Sequence, residues 1–104
     1  MALIEVGVIP LGTETPSVTR YVAEAVKVLQ DEKDIKYELT AMSTIIEGDL
    51  EHLLSLAHKM HQAAFAAGAM RVVTTIKIDE RRDEVASMSS KLKAVRRELG
   101  HKAR

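Results

Sequence analysis

The sequence contains no cysteine and no tryptophan. The missing cysteine excludes a disulfide framework and thiol chemistry. Tyr21, Tyr37 and Phe65 are the only aromatic residues, too few to stack nucleic-acid bases. An excess of either charge is also lacking. Fifteen Lys and Arg balance fifteen Asp and Glu, whereas a general nucleic-acid binder usually carries a basic surplus. No apolar run approaches the ~20 residues that a bilayer-spanning helix needs. The N-terminal apolar run from Ala2 to Leu11 holds Glu5 and has no basic lead, so it does not read as a signal peptide. The expectation is a soluble cytoplasmic protein with neither nucleic acid nor membrane as partner. Zero net charge also removes the self-repulsion that opposes oligomerisation.

The chain has 104 residues, which fits a single domain over 1–104. A chain of this size buries roughly 65% of its unfolded surface, enough for one core. The most patterned stretch runs from Arg71 to Asp83. Alternation places Val72, Thr74, Ile76 and Ile78 on one face of a strand, and Val73, Thr75 and Lys77 on the other. Five successive charges, Asp79 to Asp83, close it.

Ala2 to Pro10 alternates in the same way, with Ile4, Val6 and Val8 opposite Leu3, Glu5, Gly7 and Ile9. Pro10 and Gly12 end that strand. Leu11 to Pro16 reads as a loop, with Thr15 or Ser17 as a helix cap and Pro16 near the first turn. Tyr21, Val22, Ala25, Val28 and Leu29 then recur at helical spacing. A second strand is expected from Lys36 to Met42 and a third from Thr44 to Glu47, joined by a turn around Met42 and Ser43. Asp49 is a good cap for a long helix to about Ala67, with a buried stripe of Leu50, Leu53, Leu54, Ala57, Met60 and Ala64. Gly68 suits the position beyond it. Val85, Met88, Leu92, Val95 and Leu99 form a narrow seam on a last helix, which Gly100 should end.

The resulting order is βαββαβ plus a C-terminal helix. It predicts an α+β, ferredoxin-like sandwich: a four-stranded antiparallel sheet with two helices on one face. Two helices cover only one face. The other would carry Leu3, Glu5, Ile9, Glu38, Thr40, Met42, Val73, Thr75 and Lys77, while the adjacent Ile45 and Ile46 leave the phase of the third strand, and hence of Glu47, open. An exposed apolar patch of this kind marks an interface. Sheet-to-sheet contact in a homo-oligomer is therefore expected.

Glu5, Glu38, Thr40 and Thr75 could converge on that face. Carboxylates beside hydroxyls suit a small cationic ligand with hydrogen-bonding groups. The alternative is that Lys77 answers Glu5 or Glu38 across strands. The loop from Leu11 to Ser17 precedes a helix N-terminus, where amides can hold an anion, yet it lacks the second glycine and the lysine of a phosphate loop. His58 and His61 stand three apart, but no third ligand sits beside them, so no metal is expected. Arg71, Arg81 and Arg82 could bind phosphate, but most of them read as partners of Asp79, Glu80 and Asp83 in a solvated charge cluster. No nucleophile elbow is visible.

Four segments carry a family resemblance: Pro10-Leu11-Gly12-Thr13, Tyr37-Glu38-Leu39-Thr40, Thr44-Ile45-Ile46-Glu47-Gly48, and Arg71 to Asp79 with Arg81-Arg82-Asp83. In this order they resemble the small stand-alone thiamine-binding proteins, long classed as conserved proteins of unknown function. The resemblance runs from about Ala2 to Leu99. It implies a ferredoxin-like fold, a homotetramer built from dimers, and binding of thiamine or its hydroxymethylpyrimidine part near subunit contacts. It implies no enzymatic activity and no cofactor. The family's hairpin motif usually has Pro where Ala41 stands and Gly where Ser43 stands, so the turn beside the expected pocket differs here. Thiamine joins an aminopyrimidine to a cationic thiazolium. On this reading Thr40, Ser43, Thr44 or Thr75 serves the pyrimidine, Glu5, Glu38 or Glu47 favours the cation, and Met42 and Ile46 touch the rings. Two rivals are a regulatory or scaffold oligomer without a small ligand, and a small enzyme using Glu38 as a base.

Overall fold

In a computed structural model, residues 1–83 and 87–102 are described. The elements are β1 (Ala2–Leu11), α1 (Thr19–Gln30), β2 (Lys36–Leu39), β3 (Thr44–Gly48), α2 (Leu50–Ala66), β4 (Arg71–Glu80) and α3 (Met88–Lys102). The sheet order is β2-β3-β1-β4, antiparallel at every junction. This is the ferredoxin-like arrangement expected from the alternation of strand and helix periods.

β1 is the spine. All ten of its residues pair with β4, from Ala2 with Glu80 to Leu11 with Arg71. On its other side it pairs with β3 only from Ala2 to Val6, where Val6 meets Thr44. Ile4, Val6 and Val8 point toward the helices and pack with Ala25, Leu29, Ile46, Leu53, Leu56, Ala57 and Met60. Burial of such side chains contributes about 1.5–3 kcal/mol each.

Local chemistry explains most element ends. Asp49 caps α2 by accepting the His52 N–H at 3.4 Å. Gly68 follows α2 with φ of 112°, and Gly12 turns the chain after β1 with φ of 73°, conformations that L side chains rarely adopt. Arg20 reaches from α1 to the Ala67 carbonyl at 2.8 Å, placing a cation at the negative end of α2.

Several sequence expectations are corrected. α1 begins at Thr19 with Val18 as its cap and no side-chain capping bond. Thr15 Oγ1 instead donates to the Ser17 carbonyl, the Ser17 hydroxyl bonds that of Thr19, and Pro16 lies outside the helix. Leu56, not Leu54, completes the buried stripe of α2, because the helix faces both α1 and the sheet. α3 runs through Gly100 to Lys102, since glycine lowers helix propensity without forbidding the helix. Val85, expected in the α3 seam, lies outside the described residues.

Ile46 and Leu53 are both fully buried against one another's layer. Ile46→Ala is expected to destabilise the protein by about 2–5 kcal/mol, the usual range for emptying a core site. Urea unfolding followed by circular dichroism checks this.

Candidate functional site

The β-ladder settles which side chains share the uncovered face. Glu5 stands between Ile45 of β3 and Lys77 of β4, and Glu38 of β2 lies beyond Ile45. Thr75 lies opposite Gly7. A Cβ on Gly7 would come within 3.0 Å of the Thr75 hydroxyl, so glycine there lets that hydroxyl lie against the β1 backbone. Glu5, Glu38, Thr75 and Lys77 thus share the open face, as alternation suggests. Lys77 makes no ion pair among the described residues, although it sits directly across from Glu5. Glu5 instead accepts a hydrogen bond from Ser43 Oγ at 3.0 Å.

Ser43 belongs to the turn between β2 and β3, and this turn departs from expectation. β2 stops at Leu39 rather than Met42. Thr40 donates its N–H to the Ser43 carbonyl at 2.8 Å, leaving Ala41 and Met42 as the central turn residues. Thr40 Oγ1 also bonds to the Ser43 carbonyl at 2.9 Å and accepts the Met42 and Ser43 N–H groups. A threonine hydroxyl that bonds its own turn ends a strand in this way. Once the strand ends, its alternation ends too. Met42 is 90% exposed on the turn and is not part of a flat sheet face.

The short hairpin leaves a notch beside the second half of β1. There the structure has a cavity of about 170 Å³, lined by Val8, Val22, Leu39, Thr40, Ser43 and Met60 among others. Thr44, 3% exposed, lines it from the β3 end. Ile46 is 0% exposed and points into the helix-covered core, so the expected contact between Ile46 and a ligand is corrected. Its register partner Ile4 dictates that orientation.

A second cavity, of about 270 Å³, lies on the open face itself. Leu3, Glu5, Glu38, Ile45 and Lys77 form its floor, and Met88, Lys91 and Leu92 of α3 its wall. The first turn of α3 therefore covers one end of the face that two helices leave bare. Glu47 is what holds it there. Its carboxylate, 5% exposed, accepts the Met88 N–H at 2.8 Å, while Ser87 caps the same helix by accepting the Ser90 N–H at 3.0 Å. Lys91 pairs with Asp79 of β4. Glu47 lies on the open face but is occupied as a helix anchor, which corrects its expected role as a ligand for the cation. The signal missed in the sequence was the anionic preference of a helix N-terminus.

Other candidates resolve into structure. His61 Nδ1 bonds Thr74 Oγ1 at 2.6 Å and its ring stands edge-on to Phe65, whereas His52 pairs with Glu32 at 2.9 Å. Arg81 Nε donates to Asp83 at 2.9 Å, and Arg82 lies 4.0 Å from Glu80, as the charge pattern suggests. Among the described residues no three His, Cys, Asp or Glu side chains are grouped to hold a metal ion, and no helix is long and apolar enough to cross a membrane. Val22 and Met60 were legible only as helical core positions. Their place on a cavity wall follows from the shortness of the hairpin.

A family model described as thiamine-binding protein matches residues 4–96. The UPF0045 protein YqgV of Bacillus subtilis is 47% identical over 102 residues, covering 95% of this chain and 98% of that protein. A crystal structure of the protein MJ1052 from Methanocaldococcus jannaschii superposes with a TM-score of 0.83 at 39% identity, covering 90% of this chain and 94% of that one. A Thermotoga maritima protein provisionally assigned to thiamine biosynthesis or salvage superposes with a TM-score of 0.76, covering 90% of this chain and 97% of that one. At 18% identity that likeness speaks for the fold. The chain belongs to the thiamine-binding protein family.

Glu47→Ala removes the anchor of α3 while sparing the sheet. Loss of such a cap costs a helix about 1 kcal/mol. Amide hydrogen exchange in the first turns of α3 should therefore quicken several-fold, with the β1 and β4 amides unchanged. Unaltered exchange in α3 would show that the carboxylate does not hold it.

Proposed function

We propose that this member of the thiamine-binding protein family binds thiamine, or its hydroxymethylpyrimidine half, reversibly and without converting it. The observation that carries this reading is a ring-sized cavity next to a carboxylate. Ser43 lines the notch, and the same residue's hydroxyl donates to Glu5 on the open face. A volume of about 170 Å³ suits one six-membered ring, since an apolar cavity of roughly 150 Å³ takes up benzene. The two joined rings of thiamine need more room than that. The pyrimidine enters the notch against Val22, Leu39 and Met60, and the thiazolium emerges toward Glu5 and Glu38. A permanent cation is favoured beside those carboxylates, more strongly as water is excluded. The role is storage, buffering or delivery of the vitamin.

Enclosure of this site calls for a second copy of the chain. Ile9 and Val73 lie side by side on the open face, each more than two-fifths exposed. Beyond its first turn, α3 carries Val95 and Leu99, both 57% exposed. A lone helix of this length is marginal in water unless its apolar side is covered. Charge favours the same partner. Before Met88 the sequence has nine Lys and Arg against fourteen Asp and Glu; from Met88 onward it has six against Glu98 alone. The cationic helix of one copy complements the acidic body of another. The assembly is a homo-oligomer, a tetramer formed as a dimer of dimers, with the binding site near a subunit contact. The same exposed seam favours the second reading, a scaffold oligomer with no small ligand.

Calorimetry with micromolar thiamine should show saturable heat on the ligand-free protein. Glu5→Gln should weaken binding roughly tenfold or more, since two opposite unit charges a few ångströms apart near a protein surface attract by on the order of 1–4 kcal/mol. Glu38→Gln should lower affinity without revealing any lost turnover. A flat titration on folded protein would leave the scaffold reading in its place. Sedimentation that shows only monomer would remove the subunit-contact site.

A further inference from the structure

We infer that the backbone of Val8 recognises the 4-amino edge of the pyrimidine, its C=O accepting from the exocyclic amine and its N–H donating to the adjacent ring nitrogen. This rests on the thiamine-binding reading above and assigns the chemistry that would select the ring.

The assignment follows from the parity of the β-ladder. In an antiparallel pair, residues that exchange both backbone hydrogen bonds alternate with residues that exchange none. Thr40 donates its N–H to the Ser43 carbonyl, so Ser43, Ile45 and Glu47 direct their backbone groups toward β2. Thr44, Ile46 and Gly48 must then direct theirs toward β1, where they face Val6, Ile4 and Ala2. The even-numbered residues of β1 therefore turn their N–H and C=O groups to the β3 side. Pro10 gives a second, independent indication. It lies within the β1–β4 ladder opposite Val72 and has no N–H to contribute. A proline is tolerated there only if its nitrogen points away from β4. Both observations assign the same parity.

On the β3 side, pairing ends at Val6 with Thr44. The next even residue is Val8, and the chain that would have paired with it has turned back at Thr40 and Ser43. Val8 lines the notch while its side chain is buried in the core. A firmly held residue thus presents one donor and one acceptor to a ring-sized cavity. Unpaired backbone groups in such a place are costly unless a partner meets them. A 4-aminopyrimidine offers the complementary order, acceptor beside donor, as a neighbouring strand would. A 4-oxo pyrimidine reverses that order and sets its carbonyl against the Val8 C=O. Sites built around polar groups discriminate strongly against ligands that leave those groups unmet.

The test titrates wild-type protein with the 4-amino hydroxymethylpyrimidine, its 4-oxo counterpart and thiamine, and repeats thiamine on Val8→Pro. The expected result is binding of both amino compounds, with the 4-oxo compound weaker by roughly tenfold or more. Val8→Pro should fold, because the N–H it loses belongs to no ladder, and should bind thiamine at least tenfold more weakly. Ile9→Pro, which removes an N–H directed at β4, should misfold and confirms the parity. Equal affinity for the amino and oxo compounds would overturn the inference while leaving thiamine binding intact. A folded Val8→Pro that binds thiamine as tightly as the wild type would also overturn it, by showing that the N–H takes no part. No binding of thiamine by the wild type would overturn the parent reading, and this one with it.

Discussion

The unequal length of two neighbouring strands governs this structure. β1 is ten residues long and β4 matches it throughout, but β3 accompanies β1 for only five residues before the chain turns back. The cause is local. Thr40 bonds its own turn, ending β2 at Leu39 and starting β3 at Thr44. Had the hairpin been longer, β3 would have continued alongside Val8 and Pro10. The notch, its apolar wall from α1 and α2, and the contact between Ser43 and Glu5 all stem from that early turn.

The second constraint is coverage. Two helices bury one face of a four-stranded sheet, and the remaining face has chemistry of its own. α3 deals with one end. The buried Glu47 holds its N-terminus, and Lys91 ties it to Asp79. This places a carboxylate where the helix dipole favours an anion, and Glu5 and Glu38 line the open-face cavity together with the Lys91-paired Asp79. At zero net charge the chain joins a body with more acids than bases to a basic tail helix.

Much of this was legible in the residues. Strict alternation in Ala2 to Pro10 and Arg71 to Ile78, helical spacing in α1 and α2, and Asp49 and Gly68 at the ends of α2 define the element order, because each reports a local backbone preference. The open-face positions of Glu5, Glu38 and Thr75 followed from period two alone. Where local signals are mixed, neighbouring residues alone do not fix the backbone. Ile45 and Ile46 are equally apolar, so only pairing with Ile4 reveals which is buried. Thr40 to Met42 continues an alternation that the threonine hydroxyl interrupts, and Gly100 looks like a helix end inside a helix that passes it.

The sequence by itself determined the periods, the breaks and the chemical inventory, because these depend on each residue and its near neighbours along the chain. The tertiary structure alone decided register and proximity. It brought Ser43 to Glu5 across 38 positions, Met88 to Glu47 across 41, and the wall of α1 to the edge of β1. Such contacts arise from the pairing of whole strands, where a shift of one residue would reverse every face, and no local preference encodes that alignment.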